Sequence, residues 1–165
     1  RPPRSTLDRS SAASDVYKRQ IWSKSMRGLF ITFEGIDGCG KSTQIDFLTT
    51  RFNKMKKSVV KTEEPGGTAG SNEIRKILLR ENNFHWSVET EALLFMAARN
   101  DHVEKVIKPA IKDNKIVICD RFMDSTLVYQ GMRSPQAKNL SLMLFEHIGI
   151  NPDITFLIDM DPEIA

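Results

Sequence analysis

Gly35, Ile36, Asp37, Gly38, Cys39, Gly40, Lys41 and Ser42, followed by Thr43, match the pattern G-x-x-x-x-G-K-[ST]. The chemistry that spacing permits is the holding of nucleotide phosphates. Gly35, Gly38 and Gly40 allow positive φ, so the chain can wrap closely round an anion. The loop amides and the first helical turn after them then point at the phosphates, aided by the helix dipole. Lys41 would neutralise β/γ-phosphate charge, and the Ser42 hydroxyl would ligate Mg²⁺. A second acid, Asp120, ends the apolar run 115–120 (KIVICD), where such proteins hold the other side of the Mg²⁺, directly or through water.

These groups need elements to place them. Leu29, Phe30, Ile31, Thr32 and Phe33 read as a strand before the loop. Ile45, Leu48, Phe52 and Met55 recur at helical spacing after it. Residues 58–62 (SVVKT) form a short second strand that runs into Glu63-Glu64-Pro65-Gly66-Gly67-Thr68, a turn at a carboxyl strand end, where parallel sheets bind ligands. A short helix is expected over 72–80. A long one is expected over 88–114, kinked before Pro109. On it, Phe95 and Arg99 share a face; on a plain soluble helix they would be a core aromatic and a solvated charge. Strand 115–120 leads through Arg121 into a short helix or loop over 122–131, which carries Ser125, Thr126, Tyr129 and Gln130. A helix over 135–147, a strand over 154–159 and a helix start at Asp161-Pro162-Glu163 complete the pattern. His85, His102 and His147 are scattered and read as surface or packing residues. Alternating strands and helices with crossovers imply an α/β fold of the P-loop NTPase type: a doubly wound parallel sheet covered by helices on both faces.

The net charge of +3 is uneven. Residues 1–25 carry +4, which leaves −1 on residues 26–165, and a near-neutral body gives no argument for a nucleic-acid surface. No apolar run approaches the roughly 20 residues of a membrane span, so no membrane partner is expected. Cys39 and Cys119 have neither metal-site nor disulfide-framework spacing, and a reducing, cytoplasmic setting fits them. Residues 1–25, rich in Ser, Arg and Pro, are expected to be a disordered and non-native tail, with Met26 as the natural start. Residues 26–165 form the expected domain.

FEGIDGCGKST, EEPGGT, LLFMAARNDH, CDRFMDSTLVYQG and PDITFLIDMDPE, in that order, closely resemble the motifs of bacterial thymidylate kinase, over Met26 to Ala165 without a gap. The resemblance implies transfer of the ATP γ-phosphoryl group to dTMP, giving dTDP, with Mg²⁺. It implies that Phe95 stacks on thymine, that Arg99 donates to a thymine carbonyl, and that Thr126 and Gln130 lie along the base edge, with Ser125 in the same segment. Tyr129 would sit beneath the sugar. Arg121 would hold the acceptor phosphate with help from Arg75. Asp37 would face the 3′-hydroxyl and the metal region. A flat base suits an aromatic plate, and a phosphate suits a guanidinium fork. Since the acceptor is already an anion, no general base is implied. Relatives dimerise through helices packed side by side, and the resemblance carries the same expectation of a homodimer.

Two positions depart from the family pattern. Members often carry Arg where this chain has Glu63, so Glu63 is expected to point away from the acceptor phosphate. Some relatives place a catalytic Arg in the phosphate loop where Gly38 stands here; the resemblance is to those that supply it from a mobile lid. That lid and the last strand would follow residue 165, so the chain reads as an N-terminal fragment, inactive or nearly so alone. Two competing readings are a deoxynucleoside kinase, with Glu63 or Glu64 as base toward a hydroxyl acceptor, and a non-catalytic nucleotide-binding module.

Overall fold

A computed structural model describes residues 28–79, 85–161 and 163. The expected tail at 1–25 and the start at Met26 lie outside the described residues, as do Arg80 at the end of the expected 72–80 helix and Pro162 of the expected helix start at Asp161-Pro162-Glu163.

Four strands, β1 (Leu29–Glu34), β2 (Val59–Glu63), β3 (Ile116–Asp120) and β4 (Ile154–Leu157), form one parallel sheet in the order β2-β3-β1-β4. Side-chain alternation splits it into two apolar faces. Ile31, Phe33, Ile116 and Ile118 point to one side and pack under Ile45, Leu48 and Phe52 of α1 (Lys41–Lys54). Phe30, Val117 and Cys119 point to the other. There they meet Met96 of α3 (Val88–His102), Ala110 of α4 (Lys108–Lys112) and Ile148 of α6 (Pro135–Ile148). Helices therefore cover both faces, as the continuous apolar strands require.

Differences from the expected elements have local causes. Helix α2 (Ala69–Leu79) begins three residues early because Thr68 caps it: its Oγ1 accepts from the Ser71 N–H at 3.0 Å. The long helix breaks into α3, a π-turn over Val103–Ile107, and α4. The Lys108 amide reaches back to the Val103 carbonyl just before Pro109, which lacks an amide hydrogen of its own. After β3, α5 (Met123–Thr126) runs into a second π-turn over Leu127–Gly131. Among the described residues no helix is long and apolar enough to cross a membrane.

The centre of the larger core is aromatic. Phe122 stands edge-on to Phe30, with ring centroids 5.0 Å apart, and to Phe145 at 5.7 Å. Phe30→Ala is expected to cost about 3–5 kcal/mol in urea unfolding, since the ring is fully buried. Phe47→Ala, at a site 65% exposed, is expected to cost less than about 0.5 kcal/mol.

Candidate active site

The register of the sheet assembles the site. Phe33 of β1 and Glu63 of β2 both pair with Asp120 of β3, so three strands end at one level. The ladder continues past them: the Arg121 amide donates to the Phe33 carbonyl at 2.8 Å, and the Glu64 amide to the Asp120 carbonyl at 3.0 Å. Their loops enclose a cleft of about 350 Å³, walled by Asp37, Gly38, Gly40, Lys41, Ser42, Thr43, Glu63, Glu64, Arg75, Asp120 and Arg121.

The glycine loop has the conformation its composition predicts. Gly38 and Gly40 have φ of 82° and 89°, and Gly40 is the left-handed cap from which α1 starts. Gly35 packs so closely that a Cβ there would lie 2.5 Å from the Ile158 carbonyl oxygen. The first amides of α1 thus face the cleft, as an anion site needs. Lys41 is buried, and its Nζ donates to the carbonyls of Gly35 at 2.9 Å and Ile36 at 2.7 Å. Cys39 is buried behind the loop, its Sγ 3.9 Å from the same Nζ.

Arg121 crosses the cleft. Its Nη2 donates to Asp37 at 2.5 Å and its Nη1 to Ser125 Oγ at 3.0 Å, while its guanidinium carbon lies 5.5 Å from the centre of the Tyr129 ring. That hydrogen bond holds the Asp37 carboxyl below its usual range, although the side chain is otherwise exposed. Arg121 takes φ 67°, a left-handed conformation unusual for a side chain of its size. The turn is tied down by Glu34, whose carboxylate accepts from the Phe122 amide at 2.7 Å and from Ser125 Oγ at 2.6 Å.

Asp120 is the group best suited to a cation. Among the described residues its Oδ1 is buried without a hydrogen-bond partner, and burial pushes its carboxyl up against the opposing pull of Lys41 and Arg121. An orphaned carboxylate oxygen in a cleft shared with the Ser42 hydroxyl fits a hard, oxygen-seeking ion such as Mg²⁺.

Beside the cleft one open reading of Arg99 is excluded and one expectation is corrected. Arg99 is 2% exposed, not a solvated charge. Its Nε donates to Glu64 Oε2 at 2.6 Å, and its Nη2 to the Phe122 carbonyl at 2.9 Å and Thr126 Oγ1 at 3.1 Å. Phe95, one turn earlier, is half-buried. Glu63 does not point away: it walls the cleft and pairs with Arg75 at 3.2 Å, Arg75 also donating to the Pro65 carbonyl at 2.7 Å. The neighbouring arginine attracts it inward. Gln130 is buried with its amide toward Glu91 at 3.3 Å.

Three residues that shape this site drew little notice in the sequence. Glu34 pins the Arg121 turn, Glu64 matches Arg99, and His102 is wholly buried with its Nδ1 3.0 Å from Glu64 Oε1. The spacing held a signal for the last: Phe95, Arg99 and His102 lie at i, i+4 and i+7, one helix face, so two polar groups on a core face demand a buried carboxylate. Glu64, His102 and Cys119 bring ligand-type atoms within 4.8 Å of one another, but the Arg99 guanidinium already supplies the cation there, and burial drives the Cys119 thiol well above 9.0.

Burial also raises the Glu34 carboxyl above its usual 4.5, with the Ser125 and Phe122 hydrogen bonds pulling the other way. The folded state therefore binds this proton to a higher pH than the unfolded chain, and this group's contribution to stability falls as pH rises from about 4.5 through the folded value. Glu34→Gln is expected to remove that decline, so urea unfolding between pH 4 and 7 should show the variant gaining on the wild type as pH rises.

The chain is similar to known proteins over most of its length. The thymidylate kinase family model covers residues 33–165. A thymidylate kinase of Ruegeria pomeroyi is 51% identical over 137 residues, 82% of this chain and 65% of that protein. One of Dinoroseobacter shibae is 48% identical over 139 residues, 84% of this chain and 67% of that protein. The chain thus spans about two thirds of the length of these relatives. The crystal structure of thymidylate kinase from Ehrlichia chaffeensis superposes with a TM-score of 0.74 at 41% identity, over 82% of this chain and 78% of that one. With a glycine loop, a strand-end aspartate and two arginines lining one cleft, and with matches of this extent, the chain belongs to the thymidylate kinase family.

Proposed function

We propose that the protein transfers the γ-phosphoryl group of ATP to dTMP, giving dTDP and ADP. The observation that carries the reading is the cleft itself, in which the amide-rich loop and Lys41 face Arg121 and Arg75 across a space sized for phosphates. A phosphate oxygen of dTMP forms the new bond to the γ-phosphorus as the bond to the ADP oxygen breaks. The nucleophile is already an anion, so no proton has to move before attack.

Each residue then has a role. The loop from Gly35 to Thr43 holds the ATP phosphates, and Lys41 offsets their charge. Ser42 and Asp120 would hold Mg²⁺, which would offset the negative charge of the ATP phosphates. Arg121, aimed by Asp37 and Ser125, grips the acceptor phosphate, and Arg75 assists. Phe95 stacks on the base, Arg99 and Thr126 read its edge, Gln130 closes that side and Tyr129 lies under the sugar. Catalysis rests on in-line positioning and charge neutralisation.

The geometry disfavours a deoxynucleoside kinase. Glu64 is committed to Arg99 and His102, and Glu63 to Arg75, so neither is a free base toward a hydroxyl acceptor. Two buried free cysteines support a cytoplasmic setting. The proposal extends to a homodimer through α3 and α6, which pack together and expose Leu93, Leu142 and Met143.

Binding tests the reading directly. In calorimetry and thermal melts of this chain, dTMP is expected to bind and raise Tm, with thymidine at least about tenfold weaker because it lacks the phosphate. Equal binding of thymidine, or none of dTMP, would overturn it. Lys41→Ala is expected to weaken ATP binding by about tenfold or more while leaving dTMP affinity within about twofold.

A further inference from the structure

The thymine-reading role of Arg99 belongs to the proposal above. What orients Arg99 is a separate matter, and the structure gives it a chain of partners. The Thr62 hydroxyl lies 2.7 Å from His102 Nε2, His102 Nδ1 lies 3.0 Å from Glu64 Oε1, and Glu64 Oε2 accepts from Arg99 Nε at 2.6 Å. An ionised carboxylate can only accept, so Nδ1 is the donor and the ring's tautomer is fixed. The relay is sealed from water: Glu64 is 5% exposed, Arg99 2% and His102 not at all.

The backbone is fitted to this ring. Gly67 has φ 84°, and a Cβ there would lie 2.3 Å from His102 Cδ2 and 2.4 Å from Nε2. The Pro-Gly-Gly turn, beyond its place at a strand end, makes room for the imidazole. Arg99 itself is held at Nε and Nη2, whereas among the described residues Nη1 meets only the thioether sulfurs of Met96 at 3.1 Å and Met123 at 3.3 Å. Sulfur is a weak acceptor, so this is the donor edge with most to gain from a ligand oxygen. The carboxylate fixes the opposite edge, and the histidine fixes the carboxylate.

We propose that His102 is a positioning residue for nucleobase recognition: through Glu64 it sets the angle at which Arg99 presents its guanidinium to the base of the acceptor nucleotide. The inference rests on the dTMP reading for its ligand but not for its relay. It separates two sides of the cleft, because among the described residues no hydrogen bond or ion pair joins Thr62, His102, Glu64 or Arg99 to the glycine loop.

The test compares His102→Leu, which fills the space without a donor, with His102→Asn, which can return an N–H near the Nδ1 position. Calorimetry on this chain should show dTMP affinity falling about tenfold or more in His102→Leu and recovering to within about threefold in His102→Asn. ATP affinity should stay within about twofold in both. A purely structural role would lower Tm without changing the ratio of the two affinities. Unchanged dTMP binding in His102→Leu, or an equal loss for ATP, overturns the proposal. A ligand-free readout keeps it separate from the function: the Arg99 Nε–H resonance in ¹⁵N NMR should be shifted downfield and slow to exchange, and should move or broaden in His102→Leu. Should the wild-type chain bind no dTMP, the functional reading falls, while a resonance unmoved by His102→Leu overturns the relay.

Discussion

A guanidinium almost wholly removed from water is the constraint round which one side of the cleft is built. A buried charge is tolerable only when paired and hydrogen-bonded, because the cost of desolvating it is several kcal/mol. Arg99 meets that condition by drawing on separate parts of the chain: Glu64 after β2, the Phe122 carbonyl after β3, and Thr126 on α5. Its guanidinium also lies 5.0 Å from the Phe122 ring centre, over the aromatic core. Satisfying one side chain therefore fixes the relative positions of α3, the Pro-Gly-Gly turn and the segment that follows β3. A replacement at any of these points strands a charge rather than merely losing a contact.

The glycine-loop side depends on a different kind of order, the register of a parallel sheet. Because β1, β2 and β3 end level, the glycine loop, the Glu63–Glu64 pair and the Asp120–Arg121 pair open on one cleft without any long loop. Glu34 joins the two sides. It ends β1 just before the glycine loop, yet its carboxylate holds the turn from which Arg121 projects. The two apolar faces of the sheet make this edge rigid, so that the polar groups on it need little further support.

Much of this was legible in the chain. The shape of the glycine loop could be read outright, because Gly38 and Gly40 obey a local backbone rule that tertiary context does not change. The continuous apolar strands predicted a parallel sheet covered on both faces, and the sheet is of that kind. What escaped was non-local. Arg99 resembles any solvated helical charge until Glu64, 35 positions earlier, is seen beside it. His102 looked like a packing residue for the same reason. Glu63 was expected to turn outward on an argument about one phosphate, whereas Arg75 decides its direction. The early start of α2 shows the local version of the problem: Thr68, not the Ala-Gly pair after it, marks the boundary.

Arg121 shows where stability and chemistry oppose each other. Its left-handed backbone would suit glycine, and a side chain as large as arginine costs on the order of 1 kcal/mol or more there. The fold accepts that cost and offsets it with the ladder bond to Phe33 and the grip of Glu34 on the next residue. Position 121 is thus one at which selection for thermal robustness alone would drift toward glycine and discard the guanidinium. An arginine here therefore carries its backbone strain only because Asp37, Ser125 and the strand ladder hold both its side chain and its amide in place.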